Sequence, residues 1–244
     1  MSAPRFFVAG IFAIGDTVGL AADEARKLVV VLRARSGDAI EIVDSSGRAY
    51  RALLHLEDKR ATALLERELT APPALKLRVT LAQGVPKGQK MDYVVEKATE
   101  LGIARIVPFT SARSTGERTR EGKVERWRRI ARSAAQQCGR TDVPEVAEPV
   151  DFAALVAQVG AYDLALVPWE LAEAQPLRDR IPALLEDAET AFLGIGPEGG
   201  LEDAEAHALE AAGAHLVSLG RRILRTETAG LVAYAALLYA CGDI

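Results

Sequence analysis

Two glycine-bearing segments are the strongest candidates for chemistry in this chain. Residues 194–200 read GIGPEGG and residues 219–229 read LGRRILRTETA, and each directly follows a predicted strand. In α/β sheets, ligands bind beyond the carboxyl ends of the strands, and glycine lets a backbone approach a ligand closely. The pair therefore predicts a pocket that grips a flat heterocycle such as adenine through backbone groups. Taken alone, GPEGG is equally typical of a tight turn, and it is not the GxGxxG dinucleotide motif.

The second segment ends in RTET at residues 225–228. Thr226 or Thr228 can cap the helix that follows, and Glu227 suits the positive end of that helix. A cation at a helix N-terminus opposes the dipole, so Arg225 suggests a role on a phosphate or a developing oxyanion. Arg225 is the candidate for charge stabilisation. Glu227 is a candidate base, with helix capping as its alternative role.

Positive charge is concentrated in two stretches, although the whole chain carries −4. Residues 113–140 hold nine Lys/Arg against three Asp/Glu, a local balance of +6. A second patch without any acidic residue comprises Arg26, Lys27, Arg33 and Arg35. Screening confines the field of each patch to about 10 Å, so a basic patch on an acidic protein still attracts phosphates. Each run alone is typical of a solvated helix face, but together they favour an RNA partner.

The elements that must position the two segments alternate between strands and helices after residue 74. Apolar runs predict strands at residues 75–83, 103–109, 164–167, 191–195 and 215–219. Helical spacing predicts helices at residues 89–101, 121–138, 177–185, 202–212 and 229–240. This alternation predicts an α/β fold with a mainly parallel sheet covered by helices.

The first seventy residues have the pattern of a small β domain. Strands are predicted at residues 39–43, 50–54 and 60–69, with a turn at 44–47 and a helix within 21–32. The TAPP run at residues 70–73 breaks any regular element. The predicted domains are therefore residues 1–71 and residues 74–244.

Several protein classes lack their sequence signals here. The two cysteines, Cys138 and Cys241, form no CxxC pair, and the three histidines form no HExxH motif, so we expect no metal site. Cys138 is interpreted as a packed helix residue. No apolar run has the length of a membrane span, and the N-terminus lacks the layout of a signal peptide. We therefore expect a cytoplasmic protein with free thiols.

Short motifs in a fixed order cover the chain from about Arg5 to the C-terminus. They are KM at 90–91, EKATELG at 96–102, Pro108, QQCGR at 136–140, GPEGG at 196–200 and LRTETA at 224–229. In combination they resemble the RsmE family, the 16S ribosomal RNA uridine-N3 methyltransferases of the SPOUT class. The chain departs from that family before the VLR triplet at 31–33, where it has Lys27 and Val30 in place of the usual His and Arg.

The resemblance implies a PUA-like β-barrel over residues 1–71 that binds RNA. It implies over residues 74–244 a SPOUT-type parallel sheet with a trefoil knot and helices on both faces, although threaded chains are otherwise very rare. It also implies a homodimer formed through the C-terminal domain, with the active site near the interface. The uncharged run at 229–240 favours the same assembly, with Gly230, Ala233 and Ala236 at close helix contacts. The alternative is a helix buried within one subunit.

The resemblance further implies S-adenosyl-L-methionine as the cofactor, held by both glycine-bearing segments. The implied cofactor-binding residues are Val167, Pro168, Leu193, Gly194, Gly196, Pro197, Glu198, Gly199, Gly200, Leu219, Gly220, Ile223, Leu224, Thr226 and Ala229. Trp169, beside the first two of these, is interpreted as an aromatic of the core or rim.

The expected partner is 16S ribosomal RNA or the small ribosomal subunit. Candidate RNA contacts are Arg5, Lys27, Arg33, Lys87, Arg113, Arg126, Arg129, Arg132 and Arg140. Two alternatives stay open: an enzyme of the same class that acts on another RNA such as tRNA, and a non-catalytic ribosome-assembly factor that binds no S-adenosylmethionine.

Overall fold

The computed structural model describes residues 3–58, 60–71, 73–114, 122–172 and 175–244. The chain divides into two compact units, Met1–Pro73 with Ala135–Asp142, and Ala74–Ala134 with Val143–Ile244. The sequence pattern did not predict that residues 135–142 join the first unit. Pro72, in the predicted break, and residues 115–121, in the basic stretch and at the start of the predicted helix 121–138, lie outside the described residues.

The first unit contains a curled mixed sheet. Its strands are β1 (Arg5–Phe7), β2 (Thr17–Gly19), β3 (Ala39–Val43), β4 (Ala49–Glu57) and β5 (Arg60–Leu69). They lie in the order β1-β3-β4-β5-β2, with β1 parallel to β3 and the other pairs antiparallel. Helix α1 (Ala22–Arg26) continues into a π-helical turn at Lys27–Val31. Alternate residues of β3 and β4, such as Ile40 and Leu54, are buried in the core of this unit.

The second unit is built on a parallel sheet. Its strands are β6 (Arg78–Gly84), β7 (Arg105–Thr110), β8 (Glu145–Val146), β9 (Val150–Asp151), β10 (Leu164–Pro168), β11 (Thr190–Ile195) and β12 (His215–Val217). They lie in the order β12-β10-β11-β6-β7-β8, and β9 also pairs with β7. Every pairing is parallel.

Helices flank this sheet on both faces. They are α2 (Lys90–Glu100), α3 (Lys123–Cys138), α4 (Phe152–Val156), α5 (Leu177–Leu184), α6 (Asp203–Ala211) and α7 (Thr226–Cys241). Successive strand residues point to opposite faces, so Leu193 packs in one core with α2, α5 and α7, while Phe192 packs in the other with α4 and α6. Burial on both faces explains why the strands are continuous apolar runs.

The predicted α/β architecture is therefore correct, with errors at single elements. The short strands β1, β2, β8 and β9 and helix α4 were not predicted, because elements of two to five residues carry little periodicity. Cys138 is exposed at the end of α3, so its interpretation as a packed residue is wrong.

Helix α7 is apolar on all sides, but its faces have different surroundings. Ala233 is fully buried in the core of the second unit, and a Cβ on Gly230 would lie 3.3 Å from side-chain atoms of both Ile195 and Leu81. The interpretation of Gly230 and Ala233 as intersubunit contacts is therefore wrong, since both face the chain's own sheet. The exposed side of α7 carries Val232 and Tyr239, which are 43% and 77% exposed.

This assignment predicts losses of stability of very different size at two adjacent positions. Ala233→Glu places an unpaired charge in the core and should lower the free energy of unfolding by about 3–5 kcal/mol. The matched control Val232→Glu places the same charge in solvent and should cost far less. Urea unfolding of both variants measures the difference, and equal losses would contradict the assigned orientation of α7.

Candidate functional site

The loops that follow β10, β11 and β12 meet at one edge of the parallel sheet, because the carboxyl ends of parallel strands share an edge. Backbone hydrogen bonds tie two of these loops together. The Trp169 amide donates to the Val217 carbonyl at 3.0 Å, and the Leu177 amide donates to the Ser218 carbonyl at 2.9 Å. The loop after β12 is thus held along the loop after β10.

The start of α7 is tied to the same edge by Thr226. Its hydroxyl donates to the Gly196 carbonyl at 2.6 Å and accepts from Nε2 of Gln83 at 2.8 Å. Gln83 is a fully buried side chain near the end of β6. Three chain segments far apart in sequence therefore meet on one hydroxyl. Thr226 does not cap α7 as predicted, because Arg225 is the N-cap residue and makes no side-chain cap.

Close backbone packing fixes the first glycine-bearing segment. A Cβ on Gly84 would lie 2.5 Å from the Pro197 nitrogen, which no side chain tolerates. A Cβ on Gly196 would lie 3.2 Å from atoms of Gly200 and Leu201. Sequence reasoning missed Gln83 and Gly84, because their partners at this site lie more than 100 residues away along the chain.

The second segment offers a row of backbone donors. Within the part of the chain that the structure describes, the N–H groups of residues 221–224 have no acceptor. Gly220 has φ +111°, which favours glycine, and open space surrounds the position of its missing Cβ. Ile223 is highly exposed, and Leu219 and Leu224 are half-buried. Free amides beside apolar side chains fit a ligand that combines a flat heterocycle with polar edges.

Charged side chains gather beside these loops. The Glu198 carboxylate accepts from the Lys87 backbone amide at 2.9 Å and from Nζ of Lys90 at 3.1 Å. Burial would raise the pKa of Glu198, but these hydrogen bonds outweigh it and hold the pKa below its usual value. Glu198 is therefore a carboxylate at neutral pH.

Glu227 is the most enclosed charge of the group, with its side chain 15% exposed. Its Oε1 lies 3.9 Å from Nη1 of Arg225, and its Oε2 lies 3.8 Å from Nζ of Lys90. Oε2 is inaccessible to solvent and has no hydrogen-bond partner among the described residues. Arg225, by contrast, has a side chain that is 83% exposed. The site thus places a carboxylate with unused acceptor capacity next to a cation that is free to meet a ligand.

The predicted cofactor residues differ in accessibility. Gly220, Ile223, Glu198 and Gly199 are exposed, whereas Pro168, Gly196, Gly200, Leu219, Leu224 and Ala229 are half-buried. Gly194, Pro197 and Thr226 are buried at the edge of the loops. The side chains of Val167 and Leu193 are fully buried in the two cores, so neither presents a side chain to a ligand. Trp169 packs against a core cluster, and its ring meets that of His207 edge to face with the centroids 5.9 Å apart, in agreement with its interpretation as a core or rim aromatic.

The predicted RNA contacts also fall into two groups. Arg33, Lys87, Arg113, Arg126, Arg129 and Arg132 are exposed. Arg126 pairs with Asp92 at 2.6 Å, and Arg113 donates to the Gly199 carbonyl. Lys27 contacts Gln136 at 3.4 Å within the first unit.

Arg5 and Arg140 have structural partners instead. Arg5 is largely buried and bonds Glu41 and the carbonyls of Gly139 and Arg140. Arg140 pairs with Asp142 at 2.6 Å. The interpretation of Arg5 as an RNA contact is therefore corrected to a role within the first unit, which the sequence could not reveal because its partners lie more than 30 residues away.

A surface cavity of about 590 Å³ lies elsewhere, at the β8 edge of the sheet. Its arginines, Arg105 and Arg128, pair with Glu145 and Glu148, and no residue of the two glycine-bearing segments lines it. Among the described residues, no group of three His, Cys, Asp or Glu side chains is arranged to hold a metal. No helix in the same residues has both the length and the apolarity of a membrane span.

Comparison with known proteins agrees with this geometry. The family model of the RNA methyltransferase domain matches residues 73–238. The chain belongs to this family. It is 33% identical over 230 residues to the ribosomal RNA small subunit methyltransferase E of Bacillus subtilis, covering 91% of this chain and 90% of that protein. The methyltransferase E of Synechocystis is 35% identical over 96% of this chain and 76% of its own length.

A solved structure is similar to this RNA methyltransferase along its whole length. The ribosomal RNA small subunit methyltransferase E of Neisseria gonorrhoeae, bound to S-adenosyl methionine, aligns with a TM-score of 0.87 and 33% identity over 98% of both chains. The family match includes β6, both glycine-bearing segments and most of α7.

The Thr226 hydroxyl should be indispensable to this arrangement. Thr226→Val keeps the shape but leaves one N–H of the buried Gln83 amide without an acceptor, since only its bond to the Gly84 carbonyl remains, and this should cost about 1–3 kcal/mol of stability. It also frees the Gly196 loop, so the affinity for S-adenosylmethionine should fall. Thr228→Val is the matched control, because Thr228 is exposed in the same turn.

Thermal unfolding and calorimetric titration with S-adenosylmethionine check both effects. If the stability of Thr226→Val and its affinity for S-adenosylmethionine are unchanged, the Thr226 hydroxyl does not hold the site together and the prediction is wrong.

Proposed function

We propose that this RNA methyltransferase transfers the methyl group of S-adenosylmethionine to N3 of a uridine in 16S ribosomal RNA. The observation that carries the proposal is the juxtaposition at one sheet edge of free backbone donors in residues 221–224 with the Glu227 carboxylate and the exposed Arg225. The relatives named as small-subunit ribosomal RNA methyltransferases, one of them bound to S-adenosyl methionine, support it.

The residues that would hold the cofactor lie in the two glycine-bearing segments. The amides of residues 221–224 suit the adenine edges, and Gly220, whose missing Cβ would face open space, allows close approach of the ring. When bound, S-adenosylmethionine supplies an electrophilic methyl group: the N3 lone pair bonds the methyl carbon as the carbon–sulfur bond breaks, and its electrons stay on sulfur.

The chain's own charged residues would handle the proton and the developing charge. Oε1 of Glu227, which lies on the side of the exposed Arg225 while Oε2 is enclosed beside Lys90, takes the N3 proton. Loss of that proton spreads negative charge onto the O2 and O4 atoms of the uracil. The exposed guanidinium of Arg225 lies close enough to Glu227 to stabilise one of these oxygens.

RNA would be gripped by the exposed cations Arg33, Lys87, Arg113, Arg126, Arg129 and Arg132. The first unit would serve as a PUA-like barrel, supported by its curled five-stranded sheet. The second would carry the SPOUT trefoil knot, supported by loops after β10, β11 and β12 that are bonded to each other and to α7. The exposed Val232 and Tyr239 support a homodimer through this unit, and a cytoplasmic location follows from the proposed substrate.

In vitro methylation tests the substrate. Incubation with S-adenosylmethionine and unmethylated small subunits, free 16S RNA or tRNA should yield 3-methyluridine in the ribosomal RNA alone, read by nucleoside mass spectrometry. Methylation of tRNA instead would favour an enzyme acting on another RNA. The absence of S-adenosylmethionine binding would favour a non-catalytic assembly factor.

Arg225→Ala should separate catalysis from cofactor binding. Removing one charge-stabilising donor typically lowers turnover about a hundredfold or more, while the backbone amides that hold the cofactor remain. Arg178→Ala is the matched control, because the Arg178 side chain is 84% exposed and pairs with its neighbour Asp179. Single-turnover methylation and calorimetry supply the two measurements. Near-normal turnover in Arg225→Ala would return Arg225 to a structural role.

A further inference from the structure

Lys90 occupies an unfavourable position for a cation, because it is the first residue of α2 and faces the positive end of that helix dipole. Its ammonium lies between two carboxylates from distant parts of the chain. Nζ is 3.1 Å from Oε1 of Glu198 and 3.8 Å from Oε2 of Glu227. One of these belongs to the GPEGG loop and the other to the first turn of α7.

The two contacts differ in kind. With Glu198, Lys90 makes a hydrogen bond, and the Lys87 amide adds a second one to the same oxygen. With Glu227, the separation is too long for a hydrogen bond but short enough for a strong attraction in an enclosed site. Lys90 therefore compensates the charge on Glu227 at the enclosed Oε2 and leaves Oε1 on the side of Arg225.

We propose that Lys90 is a positioning residue, which contacts the enclosed Oε2 of Glu227 and so keeps the carboxylate charged with its Oε1 turned toward the substrate. This inference rests on the proposed function, in which Oε1 accepts the proton of uridine N3. The bond to Glu198 anchors Lys90 on the cofactor loop, so one side chain sets the distance between the cofactor loop and the proton acceptor. A misplacement of about 1 Å at such a site costs roughly a hundredfold in rate.

Lys90→Met removes the charge and keeps most of the side-chain length, and Lys90→Arg restores a cation. We expect Lys90→Met to lower kcat about tenfold to a hundredfold, with the KM for RNA, the calorimetric Kd for S-adenosylmethionine and the Tm nearly unchanged. Lys90→Arg should recover most of kcat. Lys97→Met is the control, because Lys97 lies on the same helix but pairs with Glu96 and Glu100.

A crystal structure of Lys90→Met gives a readout independent of activity, and the Glu227 carboxylate should turn away from its wild-type orientation. An unchanged kcat or an unmoved Glu227 would overturn the proposal. A loss of kcat accompanied by a loss of Tm or of cofactor affinity would also overturn the proposal, because it would indicate a structural role for Lys90. If the wild-type protein methylates no ribosomal RNA but Glu227 still turns in Lys90→Met, the proposed function fails and the positioning contact stands.

Discussion

The site depends on the hydroxyl of Thr226. The side-chain amide of Gln83 is fully buried, so its N–H groups need hydrogen-bond acceptors within the protein. A buried donor without an acceptor would remove a large part of the free energy of unfolding of a domain. Thr226 accepts one hydrogen bond from this amide, whose other bond goes to the Gly84 carbonyl, and donates a hydrogen bond to the Gly196 carbonyl. One hydroxyl thereby fixes the end of β6, the loop after β11 and the start of α7. Because Gly84 has no Cβ, the GPEGG loop can pack directly against the end of β6.

Two cations beside the Thr226 hydroxyl occupy helix positions that usually disfavour positive charge. Lys90 and Arg225 both stand at helix N-termini, where the dipole repels cations, and each lies within 4 Å of Glu227. A nearly buried carboxylate needs compensating charge, but both cations lie too far away to hydrogen-bond it. Structural ion pairs usually satisfy their acceptors. An enclosed carboxylate that is compensated but unbonded is instead prepared to accept a hydrogen bond from a ligand.

The sequence predicted the elements of the second unit better than the contacts of the site. Strands buried on both faces are unbroken apolar runs, so β10 and β11 were recognisable, and the glycine-bearing segments followed from their position after strands. The roles of Gln83 and Lys90 depend on partners more than 100 residues away, and no local pattern encodes them. Thr226 looked like a helix cap because capping is the local role of threonine there. Its actual partners are set by the tertiary fold.

Helix α7 links the site to the proposed assembly. Its apolar residues on all sides gave no periodicity to say which face was inward, and for this reason Ala233 was assigned to the wrong side. Its inner face rests on Leu81 and Ile195, while Val232 and Tyr239 remain exposed. Apolar side chains on a helix gain free energy when they are covered, at about 25 cal/mol per Å². The helix whose first turn holds Thr226 and Glu227 is therefore also the helix with an exposed apolar side, so the proposed catalysis and the proposed assembly would rest on the same element.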